Sequence, residues 1–306
     1  MENLSVVAEG LQFAEGPIWM ADGSIVLVEI KRQTLSRVAP DGGVTVIAEL
    51  GGGPNGAAIG PDGAVYVCNN GGFEWYEIEG ALIPGHKPHD YAGGSIQRVD
   101  LATGAVVTLY TGCDGAPLHG PNDLVFDTMG GFWFSDHGKS SALGRDHGAL
   151  YYAKADGSRI VKVRGEMLGP NGVGLSPDGG TLYAAETPTG RLWAFEIDAP
   201  GVLKPPPAPW LHGRLLCTLP GYQLLDSLKV EAGGKVCVGT LVEGGITVFD
   251  PDKEGWSDLV RFPELAITNL CFGGADRRDV WATASSSGRL YRCRWPRPGL
   301  KLAYGD

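Results

Sequence analysis

Six times along this chain a carboxylate or amide residue stands eight positions before a tight turn. The six are Glu15, Asn55, Asn122, Asn171, Asp226 and Asn269. The turns close at Gly23, Gly63, Gly130, Gly179, Gly234 and Arg277. A short β-rich run follows each turn, such as Ile25–Glu29, Ala64–Cys68 or Val280–Thr283. A third run follows (Leu35–Val38, Ser95–Val99, Gly245–Phe249), and usually a fourth (Val44–Ala48, Ala105–Tyr110, Arg214–Thr218). Alternation and β-branched or aromatic content mark these runs as strands. The six marker residues are spaced by 40, 67, 49, 55 and 43 residues. Four-stranded units at such a period specify a β-propeller, with the extra residues of longer repeats placed in loops. The expected fold is therefore all-β: one six-bladed β-propeller over residues 1–306, built of four-stranded antiparallel blades.

The last repeat lacks a clear fourth strand of its own. Ser5–Glu9 resembles Thr45–Glu49, a fourth strand just before a marker. The N-terminal strand is therefore expected to complete the sixth blade, with Lys301–Tyr304 as its competitor. Closure removes the open edges that a linear sheet array would expose.

Chain direction sorts the loops. The markers begin first strands, so they share a face with the loops between second and third strands. Residues 70–94 and 137–148 fall on that face, as do 111–121 and 219–225 ahead of their markers. The Pro205–Pro209 stretch and His212 fall on the opposite one. Gly71-Gly72 and Gly93-Gly94 bracket an aromatic insertion that includes Phe73, Trp75, Tyr76 and Tyr91, which reads as a lid or a packed Ω-loop.

Any single Asn-Gly is a turn sequence. Six oxygen-bearing side chains around one axis are a different matter, because Glu15 and Asp226 would repel each other without a cation between them. With the amide oxygens of Asn122 and Asn171 they form a hard-oxygen set suited to Ca²⁺, Mg²⁺ or Mn²⁺, with Zn²⁺ or Fe as further possibilities. The net charge of −10 argues against nucleic acid or an anionic membrane as partner. No run reaches the ~18–20 apolar residues of a membrane span. The six cysteines lack paired metal-ligand spacing and several sit inside strands, as expected of reduced core residues in a cytoplasmic protein. A monomer or weak homo-oligomer is expected.

Glu15-Gly-Pro-Ile-Trp, Gly120-Pro-Asn-Asp-Leu-Val-Phe-Asp127, Gly169-Pro-Asn-Gly-Val-Gly-Leu-Ser-Pro-Asp-Gly179 and Asp226-Ser-Leu-Lys together resemble the senescence-marker-protein-30/gluconolactonase/luciferin-regenerating-enzyme family. The resemblance runs in order along nearly the whole chain. It implies a six-bladed propeller with one divalent metal, Ca²⁺ being preferred, in the central channel and hydrolysis of a lactone or related cyclic ester. The metal would polarise the carbonyl for attack by an activated water. Glu15, Asn171 and Asp226 match the family's metal ligands, and Asn122 the asparagine that meets substrate or water. Asp226 is the first choice of base, giving Asp226, Asn122 and Glu15 as the catalytic set. Asn122, His119, His137 and Trp75 are the expected substrate-binding residues. Asn55 and Asn269 keep only a turn role. The sugar-lactonase branch typically carries an arginine two residues before the Asn122 position, and this chain has Gly120 there, so the substrate need not be a sugar lactone. A metal-dependent isomerase using the same site, or a non-catalytic metal-binding propeller, are the competing readings.

Overall fold

The computed structural model describes residues 2–253 and 255–305. Six antiparallel sheets follow one another in chain order, five of them four-stranded and the fourth five-stranded, where Val202–Leu203 pairs as an extra strand with Arg191–Ala199. Their first strands are Ala14–Trp19, Pro54–Ile59, Pro121–Phe126, Pro170–Leu175, Leu224–Val230 and Asn269–Gly273. First strands of consecutive blades contact each other all the way round, the sixth meeting the first. The ring is closed as expected: Glu2–Ala8 pairs antiparallel with Arg289–Arg294 as the outer strand of blade 6. Residues 301–304 do not compete for that place. Leu300–Gly305 instead lines the far end of the channel, where first-strand residues enclose a cavity of about 490 Å³. The described residues contain no helix, and so none able to cross a membrane.

The turn closing each first strand takes positive φ at Gly23, Gly63, Gly130, Gly179 and Gly234, and at Arg277 in blade 6. Glycine suits five of these positions because the left-handed region costs it nothing in Cβ clash.

The apolar core is divided into six clusters, each lying between two neighbouring blades. Blades 1 and 2, for example, share Val26, Val28, Leu35, Val65 and Val67. A blade is thus buried on both faces, which is why second strands such as Ile25–Glu29 and Val65–Asn69 are buried at every residue and do not alternate. All six cysteines are free and buried.

Three extra two-stranded hairpins decorate the structure: Trp75–Ile78 with Ala81–Pro84, Gly112–Cys113 with Ala116–Pro117, and Ser140–Ser141 with Gly144–Arg145. The Pro-rich segment does not stay on the far side. Pro206, Pro209, Trp210 and His212 line a cleft together with His119 and Arg164, and His212 packs edge-on against Trp193. A segment of this length can climb the outside of its blade, which chain direction alone does not forbid.

Candidate functional site

In blades 1 to 5 the pairing of first and second strands slips at the marker: between Glu15 and Ile18, Pro54 and Ala57, Pro121 and Leu124, Pro170 and Val173, and Leu225 and Leu228. Such a bulge re-aims a side chain and ends regular pairing locally. Blade 6 has no slip, and Asn269 pairs in register with Thr283. The residue after the marker packs against the backbone of the next blade. A Cβ on Gly16 would lie 2.6 Å from Ala57 N, one on Gly56 2.4 Å from Asn122 O, and one on Gly172 2.3 Å from Leu228 N. These glycines let first strands approach backbone to backbone, which draws the markers toward one axis.

Cross-blade bonds fix the markers further. Ser227 N donates to Thr268 O (3.0 Å), and Ser227 Oγ lies 3.4 Å from Asn171 Oδ1. Within blade 4, Asn171 Nδ2 donates to Thr187 Oγ1 (3.1 Å). Ser135 Oγ donates to Asn171 O, and Ser285 Oγ to Ala14 O.

Glu15 is buried, with Oε2 accepting from Gly16 N (3.0 Å) and Asn269 Nδ2 (2.8 Å). Burial nevertheless pushes its carboxyl up to about 7, against the bonds from Thr268, Asn269 and Gly16 that favour the ionised form. Asp226 is raised well above the usual carboxylate range, first by burial and then by the charge of Glu15. Asn171 and the Ser227 N–H pull it back in part. Asp123 lies close enough to add to both shifts. Its Oδ2 is 3.4 Å from Lys229 Nζ. Asn122 Oδ1 is buried with no hydrogen-bond partner among the described residues.

These residues fit a hard divalent cation. Burial raises both acids, the charge of Glu15 raises Asp226 further, and an amide oxygen is desolvated without a donor among the described residues, an arrangement that a cation at the axis would satisfy at every point. Among the described residues no three His, Cys, Asp or Glu side chains cluster to hold a metal, so the fit rests on two carboxylates plus amide oxygens.

The other expected residues lie around the rim. His119 sits three residues before Asn122, with Nδ1 2.9 Å from Asp146 Oδ2. His137 N donates to Gly120 O (2.8 Å). Burial first, then Arg145 and Lys139, hold the His137 imidazole neutral, well below the usual histidine range. Trp75 belongs to the insertion hairpin, and its ring lies 5.1 Å from Phe13 and 6.0 Å from Phe73.

Three features escaped the sequence reading. Asn269, expected to serve only a turn, lies in a strand and orients Glu15. Fourteen residues after markers 15, 55 and 122 stand Glu29, Asn69 and Asp136, and fifteen after 171 stands Glu186. Each takes a backbone N–H two or three residues ahead of a marker: Gln12, Gly53, His119 with Gly120, and Leu168. That offset was readable and staples each marker to its own blade. The third feature is Lys139, a buried ammonium bonded to Asn70 Oδ1 (3.0 Å) and Gly72 O (2.5 Å), with the Phe73 ring centroid 3.7 Å away. Burial lowers its pKa to about 7.

Residues 13–286 match the SMP-30/Gluconolactonase/LRE-like region. A gluconolactonase of Zymomonas mobilis is 24% identical over 88% of this chain and 76% of its own. Among solved structures, a gluconolactonase of Xanthomonas campestris superposes with a TM-score of 0.74 at 23% identity, covering 96% of this chain and 89% of its own. Regucalcin from Agrobacterium tumefaciens, described as a calcium-binding protein, gives 0.72 at 19%, covering 97% of each chain. At these identities the structures speak for the fold, and the family match covers most of the chain. The chain belongs to the SMP-30/gluconolactonase/LRE-like family.

Proposed function

We propose that this member of the family is a divalent-metal-dependent hydrolase that opens a lactone ring. The observation that carries the reading is the pair of buried carboxyls Glu15 and Asp226, both raised by burial and Asp226 further by Glu15, together with Asn122 Oδ1, which has no partner among the described residues. Perturbed carboxylates in a closed channel are the usual mark of a working site, and relatives named gluconolactonase and lactonase support the choice of reaction.

Glu15, Asn171 and Asp226 would hold the ion. Calcium is preferred because every donor is a hard oxygen, and the regucalcin likeness supports it. When bound, the ion supplies a Lewis acid that polarises the ester carbonyl and makes water more acidic. Asn269 fixes the rotamer of Glu15, and Ser227 and Thr187 fix the amide of Asn171. Asp226, partly open to the channel, takes the proton of the attacking water as its oxygen bonds to the carbonyl carbon, and returns it to the ring oxygen as the bond between that carbon and the ring oxygen breaks. Asn122 Oδ1 accepts from that water or from a substrate hydroxyl. His119, His137 and Trp75 stand at the rim where the rest of the substrate lies.

A pH-stat assay over a lactone panel tests the reading. Turnover is expected to vanish with chelator and return with calcium. Asp226→Asn is expected to fall by about 10²-fold or more while keeping its fold. Hydrolysis unaffected by chelator, or no hydrolysis of any lactone, would overturn it.

A further inference from the structure

Glu15, Asp226 and Asp123 would be balanced by one divalent ion together with Lys229, which meets Asp123. Above the channel stand two cations that form no ion pair among the described residues, Asp136 acting on Lys139 and Asp146 on Arg145 only at longer range. Lys139 is bonded only to neutral oxygens. Arg145, on the Ser140–Arg145 hairpin, forms no ion pair among the described residues. Its Nη2 lies 2.7 Å and 3.0 Å from the two ring nitrogens of His137 and 3.1 Å from its carbonyl, and its Nη1 lies 3.3 Å from Ser140 Oγ. A guanidinium held against neutral groups keeps its charge for an outside partner, and its remaining N–H groups form a planar fork.

Its position ties it to the site. A Cβ on Gly169 would stand 2.5 Å from Arg145 Nη2, and Gly169 precedes Asn171 by two residues, at most about 7.6 Å between Cα atoms. His137, beneath the guanidinium, is bonded to Gly120, two residues before Asn122. Arg145 therefore sits between the approaches to two site asparagines. On the insertion side the rim is aromatic: Phe13, two residues before Glu15, packs on Trp75, which packs on Phe73. Asn70 Nδ2, buried next to Lys139, has no acceptor among the described residues.

We infer that Arg145 is the specificity residue of the channel mouth and recognises a carboxylate carried by the substrate, so that the preferred substrates are lactones of hydroxy-dicarboxylic acids. The inference rests on the lactonase reading for its chemistry, but not for its test. The first arm compares a γ-lactone bearing a carboxymethyl group with its methyl ester. Wild type is expected to favour the acid in kcat/KM by roughly 10- to 100-fold, the range of one charge-assisted recognition. Arg145→Gln is expected to lose that preference through KM, leaving turnover of the ester unchanged. The second arm is calorimetry with calcium present, titrating the ring-opened hydroxy-dicarboxylate and its monomethyl ester. Wild type is expected to bind the dicarboxylate at least about tenfold more tightly than Arg145→Gln does, with the monoester indifferent to the variant. Equal treatment of acid and ester by wild type, or an equal loss on both in the variant, overturns the inference and leaves the lactonase reading standing. Discrimination in calorimetry without hydrolysis of any lactone supports carboxylate recognition and sinks the lactonase reading instead.

Discussion

Glycine after a marker residue does two different jobs in proteins, and in this ring the less obvious one governs. Asn171-Gly172 reads as a turn, yet Gly172 lies in a strand without positive φ. What it supplies is room, since an added Cβ would meet Leu228 N at 2.3 Å and Asp226 O at 2.7 Å. Backbone atoms cannot swing aside as a side-chain tip can, so Gly172→Ala must push blade 5 outward at the point where it presents Asp226. Overpacking of this kind costs about 1–3 kcal/mol or more. The expected outcome is a lower melting temperature together with a loss of calcium affinity of about tenfold or more, measured by calorimetry. Gly63→Ala, in a far turn with nothing within 4 Å, is expected to lower stability and leave affinity alone. Equal calcium affinity in wild type and Gly172→Ala would contradict this. The marker residues were visible in the sequence because each sits at a fixed distance from a turn. The reason for the following glycine was not, because the atoms it avoids come from 54 and 56 residues away. The role of Asn269 was hidden in the same way, its partner Glu15 lying 254 residues distant.

Residues 71–94 form the element with the most say over the site. The glycine pairs flanking it mark a change of chain direction, and Gly71, Gly72 and Gly93 do take positive φ. Their spacing could not separate a mobile lid from a fixed strap, since both need hinges. The contacts describe a strap fastened at several points. Leu82 N donates to Ser286 O in blade 6, Lys87 N donates to Ser140 O in blade 3, and Tyr91 Oη donates to His119 O. Lys139 joins its root to blade 3 through Asn70, Gly72 and Phe73. Each bond from a charged donor is worth about 1.5–3 kcal/mol, set against the cost of burying the ammonium. Lys139→Met keeps the volume and removes the bonds. Hydrogen exchange at Gly72, Glu74, Gly85 and Lys87 is expected to quicken by about tenfold or more, with the blade strands unchanged. Unaltered exchange across the strap would show that Lys139 does not hold it.

At the scale of the whole ring, the period of the repeats and the matching N-terminal strand were enough to specify six closed blades. The interblade cores were less legible, because a strand buried on both faces loses the alternation that marks a surface strand. Closure has an electrostatic consequence. Six blades packed this tightly bring Glu15 and Asp226 together in a site that holds their carboxyls above the ordinary range. An acid whose pKa is raised on folding binds more protons in the native state than in the unfolded one between the two values. The contribution of Glu15 to the stability of the metal-free ring therefore falls as pH rises from about 4.5, where the unfolded residue ionises, to about 7, where the folded one does. A divalent cation removes that repulsion, but at acid pH it must first displace the protons. Its stabilising effect is expected to be small at pH 5 and large at pH 8, reaching about 2.7 kcal/mol at a hundredfold excess over Kd, a rise of several degrees for a domain of this size. Melting curves with chelator and with calcium at both pH values measure it. A calcium shift equal at pH 5 and pH 8 would mean that the two carboxyls are not what the cation binds, and the axis of the propeller would then have to be assigned another purpose.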